Sequence, residues 1–225
     1  MTSPAMTSPR FLYLHGFASS PESKKAKAFA AFFEARGLPL ARLDLRVPSM
    51  ERLSFPAMMD VVRAAIGGPS DRALIVGSSL GGLCAARVAA ADPRVSALFL
   101  MAPAFDLGAR WRERLGPEAW EDWRATGFRE VHDHATGKLT RVHHAFVAEL
   151  DRMDRELGRL PDVAVPTCVV HGTRDDVVDV STSRELAKGR RHVRLVEVDD
   201  DHELAASTPR ILAELEAFAR PFGLG

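Results

Sequence analysis

At 225 residues the chain can bury one α/β core but not two comfortable ones, so a single domain over residues 1–225 is expected. Lysine plus arginine and aspartate plus glutamate number 30 each, which leaves no net field to draw nucleic acid or an anionic membrane and favours a small, neutral partner. No apolar run approaches the ~20 residues of a membrane span and the N-terminus lacks a signal-peptide core, so a cytoplasmic location is expected.

The opening Met1-Thr2-Ser3-Pro4-Ala5 is nearly repeated by Met6-Thr7-Ser8-Pro9, which reads as an alternative start at Met6 or a cloning remnant without function. The first strand, residues 11–14, runs into His15-Gly16-Phe17. A helix then starts with Ser20 as N-cap, Pro21 at the first helical position and Glu22 in the first turn; Ala26, Phe29, Ala30 and Phe33 share one face, and Gly37 ends it. A second strand is expected over 40–45 and a third over 73–76, the latter leading through Gly77-Ser78-Ser79-Leu80-Gly81-Gly82 into a helix over 83–91. The fourth strand, 95–101, ends in Met101-Ala102-Pro103-Ala104-Phe105-Asp106.

From about residue 104 to residue 160 the alternation of strand and helix breaks down. Two short helices are expected over 109–115 and 117–126, split at Gly116-Pro117. Residues 128–132 and 139–142 flank Ala135-Thr136-Gly137 as a β-hairpin, and a helix follows over 143–157. This insertion is expected to cap the turn at Ser79. Trp111, Trp120 and Trp123, with Met101, Phe105 and the neighbouring Asp106, are candidates for lining or bordering an acyl pocket, against the alternative that the large side chains simply fill the seam. His132, His134, His143 and His144 lie close together, but without spaced cysteines or carboxylates no metal site is expected.

Strand-like runs resume at 167–170 and 193–198, and a last helix opens at Ser207-Thr208-Pro209 with Ile211, Leu212, Leu215 and Phe218 at helical spacing. All these strands are nearly continuous in apolar residues, as in a mostly parallel sheet covered by helices on both faces. Cys84 and Cys168 fall in a helix and a core strand, where they read as buried apolar residues rather than a disulfide.

Strand, tight turn and helix around Ser79 form the pattern of a nucleophile elbow, whose glycines let the chain turn sharply. A hydroxyl is a poor nucleophile at neutral pH, so such a serine needs a base, an acid that orients the base, and N–H donors for an oxyanion. In the chain order serine, acid, histidine, the acid is Asp175 or Asp176 after His171-Gly172-Thr173-Arg174, and the base is His202 after Asp199-Asp200-Asp201. The amides of Phe17 and Leu80 are the candidate oxyanion donors. The aspartates before His202 read as solvated, and His15 and His171, each before a glycine, as turn braces. No G-x-G-x-x-G or G-x-x-x-x-G-K-[ST] follows a strand, and serine chemistry requires no cofactor.

Tyr13-Leu14-His15-Gly16-Phe17-Ala18-Ser19-Ser20-Pro21 and Gly77-Ser78-Ser79-Leu80-Gly81-Gly82 resemble the α/β-hydrolases, and within them small single-domain bacterial serine esterases with YLHGF-SSP and GSSLGG segments. The resemblance spans residues 11 to about 218. It implies an α/β-hydrolase fold with strands in the order second, first, third, fourth, fifth, sixth, lacking the superfamily's two leading antiparallel strands. It further implies Ser79 as nucleophile, Asp175, three residues after Gly172, as acid, His202 as base, and Phe17 and Leu80 at the oxyanion positions. The expected function is cleavage of small carboxylic esters through an acyl-enzyme, with no cofactor. The short cap is also similar to that of small depalmitoylating thioesterases, which makes acyl-thioesters the alternative substrate. A hydrolase fold reused as a binding module is the alternative from another class.

Overall fold

The computed structural model describes residues 9–224, so the repeated opening, apart from Pro9, lies outside the described residues. In chain order the strands are β1 (Arg10–Leu14), β2 (Leu40–Leu43), β3 (Ala73–Ser78), β4 (Val95–Met101), β5 (Phe128–Asp133), β6 (Lys138–His143), β7 (Thr167–Gly172) and β8 (Val193–Val198). Six of them form one sheet in the order β2-β1-β3-β4-β7-β8, with every neighbouring pair parallel. β5 and β6 pair separately as an antiparallel hairpin.

The central strands bury both faces, which is why their sequences show no polar alternation. Leu12, Leu14, Ile75, Leu98, Leu100 and Val169 face one core layer. It is covered by α2 (Phe55–Ile66), α3 (Leu80–Ala89) and the insertion. Phe11, Tyr13, Leu74, Val76, Phe99 and Val170 face the other, beneath α1 (Lys24–Glu34). Each fully buried side chain of this size contributes about 1.5–3 kcal/mol.

The insertion between β4 and β7 carries α4 (Leu107–Thr126), the hairpin and α5 (Ala145–Leu157). α4 is broken at Gly116, whose φ of 73° and ψ of 169° are not helical, so it consists of two helical stretches divided at the expected place, before Pro117. After β7 come α6 (Ser181–Ala187) and, behind β8, α7 (Thr208–Ala219), which buries Ile211 and Leu215 against the second layer. No helix among the described residues is long and apolar enough to cross a membrane.

Several boundaries differ from expectation, among them the start of α3 at Leu80 rather than residue 83. α1 starts after Ser23, whose side chain accepts from the Ala26 amide at 3.2 Å, while Ser20 accepts from the Glu22 amide within the preceding turn. The Ser-Pro-Glu start signal was satisfied one turn early. β2 ends at Leu43, because Leu45 turns inward and its amide donates to His15 Nε2 at 3.0 Å. α5 begins at Ala145, where the His143 side chain accepts the Ala145 amide at 3.1 Å.

Candidate active site

Ser79 stands at the carboxyl edge of the sheet, between β3 and α3, with φ 53° and ψ −117°. A non-glycine residue pays about 1–3 kcal/mol for such a conformation, and it persists only where the surroundings enforce it. Here the Ser79 amide donates to Met101 O at 2.9 Å and its carbonyl accepts from the Ala104 amide at 3.1 Å. The flanking glycines serve close approach rather than the turn itself. A Cβ on Gly77 would lie 2.6 Å from Gly81 O, and one on Gly81 would overlap the Leu14 carbonyl. Small residues thus let α3 press against β1 and β3, and the serine carries the strain.

The loop after β1 passes directly over this point: a Cβ on Gly16 would be 3.3 Å from Ser79 Cβ and 3.8 Å from Oγ. Leu80 opens α3, so its amide has no intrahelical acceptor. Neither it nor the Phe17 amide donates to a partner among the described residues. His15 braces the loop, its buried ring donating from Nδ1 to Gly16 O at 2.8 Å and accepting the Leu45 amide on Nε2. Burial lowers its pKa and favours the neutral ring that this pattern needs.

Ser79 Oγ lies 3.1 Å from His202 Nε2, and His202 Nδ1 lies 2.7 Å from Asp175 Oδ2. Oδ1 of the same carboxylate accepts the amides of Val177 at 2.9 Å and Val178 at 2.7 Å. The Asp175 side chain has 0% exposure, whereas Asp176 is exposed. Burial alone would raise the Asp175 pKa, but hydrogen bonds from His171, His202 and the Val178 amide overrule it and hold the carboxyl well below the usual carboxylate range. An ionised acid, a histidine and a serine in this line can move a proton off the hydroxyl while stabilising the imidazolium that results.

Four residues around this line carried no such signal in the sequence. Asp200, expected to be solvated, is buried; its Oδ1 accepts the Asp201 amide at 2.9 Å and its Oδ2 the Ser207 amide at 2.8 Å, which fixes the loop that presents His202. Lys25 reaches from α1 to donate to Ser78 Oγ at 3.2 Å. Burial lowers its pKa against the pull of Glu203, Asp175, Asp200 and Asp201. His171 and Ser183 lie fully buried behind Asp175. His171 braces the turn as expected, through Val178 O, whereas the approach of Lys25 to Ser78 depends on packing between segments 53 residues apart.

The expected pocket residues separate into two groups. Met101, Phe105 and Trp123 have 0% exposure and Trp120 has 7%, so all four are packed into the core and line no open surface. Trp123 also donates from Nε1 to Val142 O at 2.9 Å, locking α4 to the hairpin. Trp111 is half-buried and meets the half-buried ring of Phe17 edge-on at 4.8 Å, forming an aromatic wall beside the Gly16 loop. A charged cleft of about 490 Å³, bordered by Asp106, Arg110, Arg159, Asp175, Asp176 and Glu185, opens on the acid side. The rings of His132 and His134 lie 5.0 Å apart. Among the described residues no group of three or more His, Cys, Asp or Glu side chains is arranged to hold a metal ion.

The sequence matches the family described as Uncharacterised protein family (UPF0227) over residues 10–219. No curated protein matches it. Among solved structures, α/β-hydrolase domain-containing protein 10 from mouse aligns with a TM-score of 0.75 at 20% identity, over 96% of this chain and 92% of that one. Est1E from Butyrivibrio proteoclasticus, with ferulic acid bound, aligns with a TM-score of 0.71 at 19% identity, over 96% and 92%. The esterase domain of a Rhodothermus marinus protein gives 0.68 at 21% identity, over 99% and 91%. At these identities the likeness establishes the α/β-hydrolase fold.

Proposed function

The chain belongs to the UPF0227 family, and from the geometry at Ser79 we propose that it is a serine hydrolase cleaving small carboxylic esters through an acyl-enzyme. One observation carries this: the unbroken line from Ser79 Oγ through His202 to the buried carboxylate of Asp175, at 3.1 and 2.7 Å. His202 Nε2 takes the hydroxyl proton as Ser79 attacks the ester carbonyl, and Asp175 keeps the proton of the other nitrogen in place. The oxyanion is received by the amides of Phe17 and Leu80, whose N–H groups are otherwise uncommitted. His202 then returns its proton to the leaving alcohol and activates water to free the acid. No cofactor enters either step.

A small ester suits the surroundings. Of the candidate pocket residues, Met101, Phe105, Trp120 and Trp123 are packed into the core, and Trp111 with Phe17 offers a short aromatic surface. Of the proteins of this fold, the Rhodothermus marinus domain is named an esterase domain, and Est1E is described with ferulic acid, a small aromatic acid, bound. Cys84 and Cys168 are free and buried, in keeping with a reducing, cytoplasmic setting.

Labelling with a fluorophosphonate probe, followed by p-nitrophenyl esters of increasing chain length, tests the proposal. Wild type should label at one site and hydrolyse the short esters. Ser79→Ala should remain folded, lose the label, and retain under about 1% of kcat, because the covalent step is removed. A wild-type protein that stays unlabelled would be a binding module on a hydrolase fold.

A further inference from the structure

We infer that His171 is a positioning residue for the reaction: buried behind Asp175 and anchored by Ser183, it fixes the carboxylate that orients His202. This rests on the reading of Ser79, His202 and Asp175 as the reacting set. His171 is the penultimate residue of β7, directly before Gly172, and neither its ring nor the Ser183 side chain on α6 has any exposure. Its Nε2 lies 2.9 Å from Val178 O and 3.2 Å from Asp175 Oδ2. Its Nδ1 lies 2.7 Å from Ser183 Oγ.

The tautomer follows from these partners. A backbone carbonyl can only accept, so the ring proton is on Nε2, and Nδ1 is left to accept the Ser183 hydroxyl. The Nε2–H therefore does two things. It clamps the Val178 carbonyl, and so the turn whose Val177 and Val178 amides grip Asp175 Oδ1. The same edge of the ring also lies 3.2 Å from Oδ2, the atom that receives His202 Nδ1–H, close enough for the positive end of the N–H to stabilise the carboxylate charge. A side chain needed only to brace the turn would have no reason to share that atom. The line of close contacts thus continues past the acid, from Ser79 through His202 and Asp175 to His171, which Ser183 in turn anchors.

Removing the Nε2–H has a predictable sign. With one donor fewer, the Asp175 carboxylate presents more of its charge to His202, which then holds its proton more tightly; the carboxylate itself is also less stabilised as an anion. Both effects move the acid limb of the reaction to higher pH. Substituting His171 or Ser183 leaves the other charged groups around this pair in the chain: Lys25 of α1, which faces Asp175 as well as Asp200, Asp201 and Glu203 of the loop after β8; Glu197 of β8, which faces His171 and pairs with Arg184 of α6; and, around the cleft that Asp175 borders, Asp106, Arg110, Glu113, Arg159, Asp176, Asp179 and Glu185.

The test is the pH dependence of fluorophosphonate labelling for wild type, His171→Gln, His171→Asn and Ser183→Ala, with folding followed by circular dichroism. A glutamine amide can occupy the Nε2 position and an asparagine amide cannot. The expected result is an acid limb raised by roughly half a pH unit or more in His171→Asn, with labelling slowed about tenfold, a smaller shift in Ser183→Ala, and a near wild-type profile in His171→Gln. Folded His171→Asn and Ser183→Ala proteins with an unmoved acid limb would overturn the inference, and if His171→Asn does not fold, Ser183→Ala alone decides. Wild type that fails to label would instead overturn the underlying assignment of Ser79.

Discussion

Asp175 and Asp176 are adjacent in the chain, yet one carboxylate is fully buried on His202 and the other faces solvent at the cleft. The difference arises from the turn after Gly172, where the Val177 and Val178 amides fold back onto Asp175 Oδ1 and leave Asp176 pointing outward. Asp175→Asn should therefore lower kcat by about 10³–10⁴, as expected when the tautomer of the base is lost, and Asp176→Asn should cost less than tenfold. Both variants assayed on one ester decide the matter; the reverse ranking would shift the acid by one residue. The residues alone left Asp175 and Asp176 open, because both follow the same strand; the preference for Asp175 came from the family resemblance, which places the acid three residues after Gly172. Asp200 was not legible, since its burial depends on the Ser207 amide that α7 brings back to it, and a run of aspartates otherwise looks like a solvated surface.

Among the elements, the insertion was recognisable by where it interrupts the strand and helix alternation, and Gly116-Pro117 marked the kink in α4. What could not be read was the direction in which each tryptophan points. Trp120 and Trp123 are three residues apart and so share a face of the helix, which turns into the core, while Trp111 lies before the kink and remains half-buried beside Phe17. The two kinds of tryptophan should respond differently to alanine. Trp123→Ala should destabilise the fold by about 3–5 kcal/mol in urea titration, through loss of a buried aromatic and its hydrogen bond to Val142. Trp111→Ala should instead change the ratio of activity on short and long esters by roughly 1–3 kcal/mol with a smaller effect on stability. Equal losses at every chain length would make Trp111 a packing residue like the other two.

At the scale of the molecule, the apolar runs marked the strands of a parallel sheet, while their order, which the structure matches, was implied by the family resemblance rather than by the runs themselves. One attachment of the insertion to the helices over that sheet was not legible in the sequence, because it includes a buried ion pair distant in sequence. Arg87 of α3, with 3% side-chain exposure, donates to Asp154 of α5 at 2.6 Å and to Gly158 O at 2.5 Å, tying the end of the insertion to the helix that begins at the elbow. Burial pushes the Asp154 carboxyl up to about 6 even with the arginine beside it. Arg87→Met would leave that carboxylate uncompensated and the Gly158 carbonyl without its donor, at a cost of about 3 kcal/mol, the low end for a buried pair because Asp154 keeps 16% exposure. The cost should depend on pH with a definite sign. A carboxyl whose folded pKa lies above its unfolded value of about 3.9 contributes stability that is present below that value and lost as the pH rises through the folded pKa. Without Arg87 the folded value rises further, so Arg87→Met should be closer to wild type at pH 5 than at pH 8, and adding Asp154→Asn should recover part of the loss at pH 8. Urea titrations of wild type, the single variants and the double variant at both pH values measure this. A loss independent of pH, or no recovery in the double variant, would mean that Arg87 holds the insertion through packing and the Gly158 carbonyl rather than through the charge of Asp154.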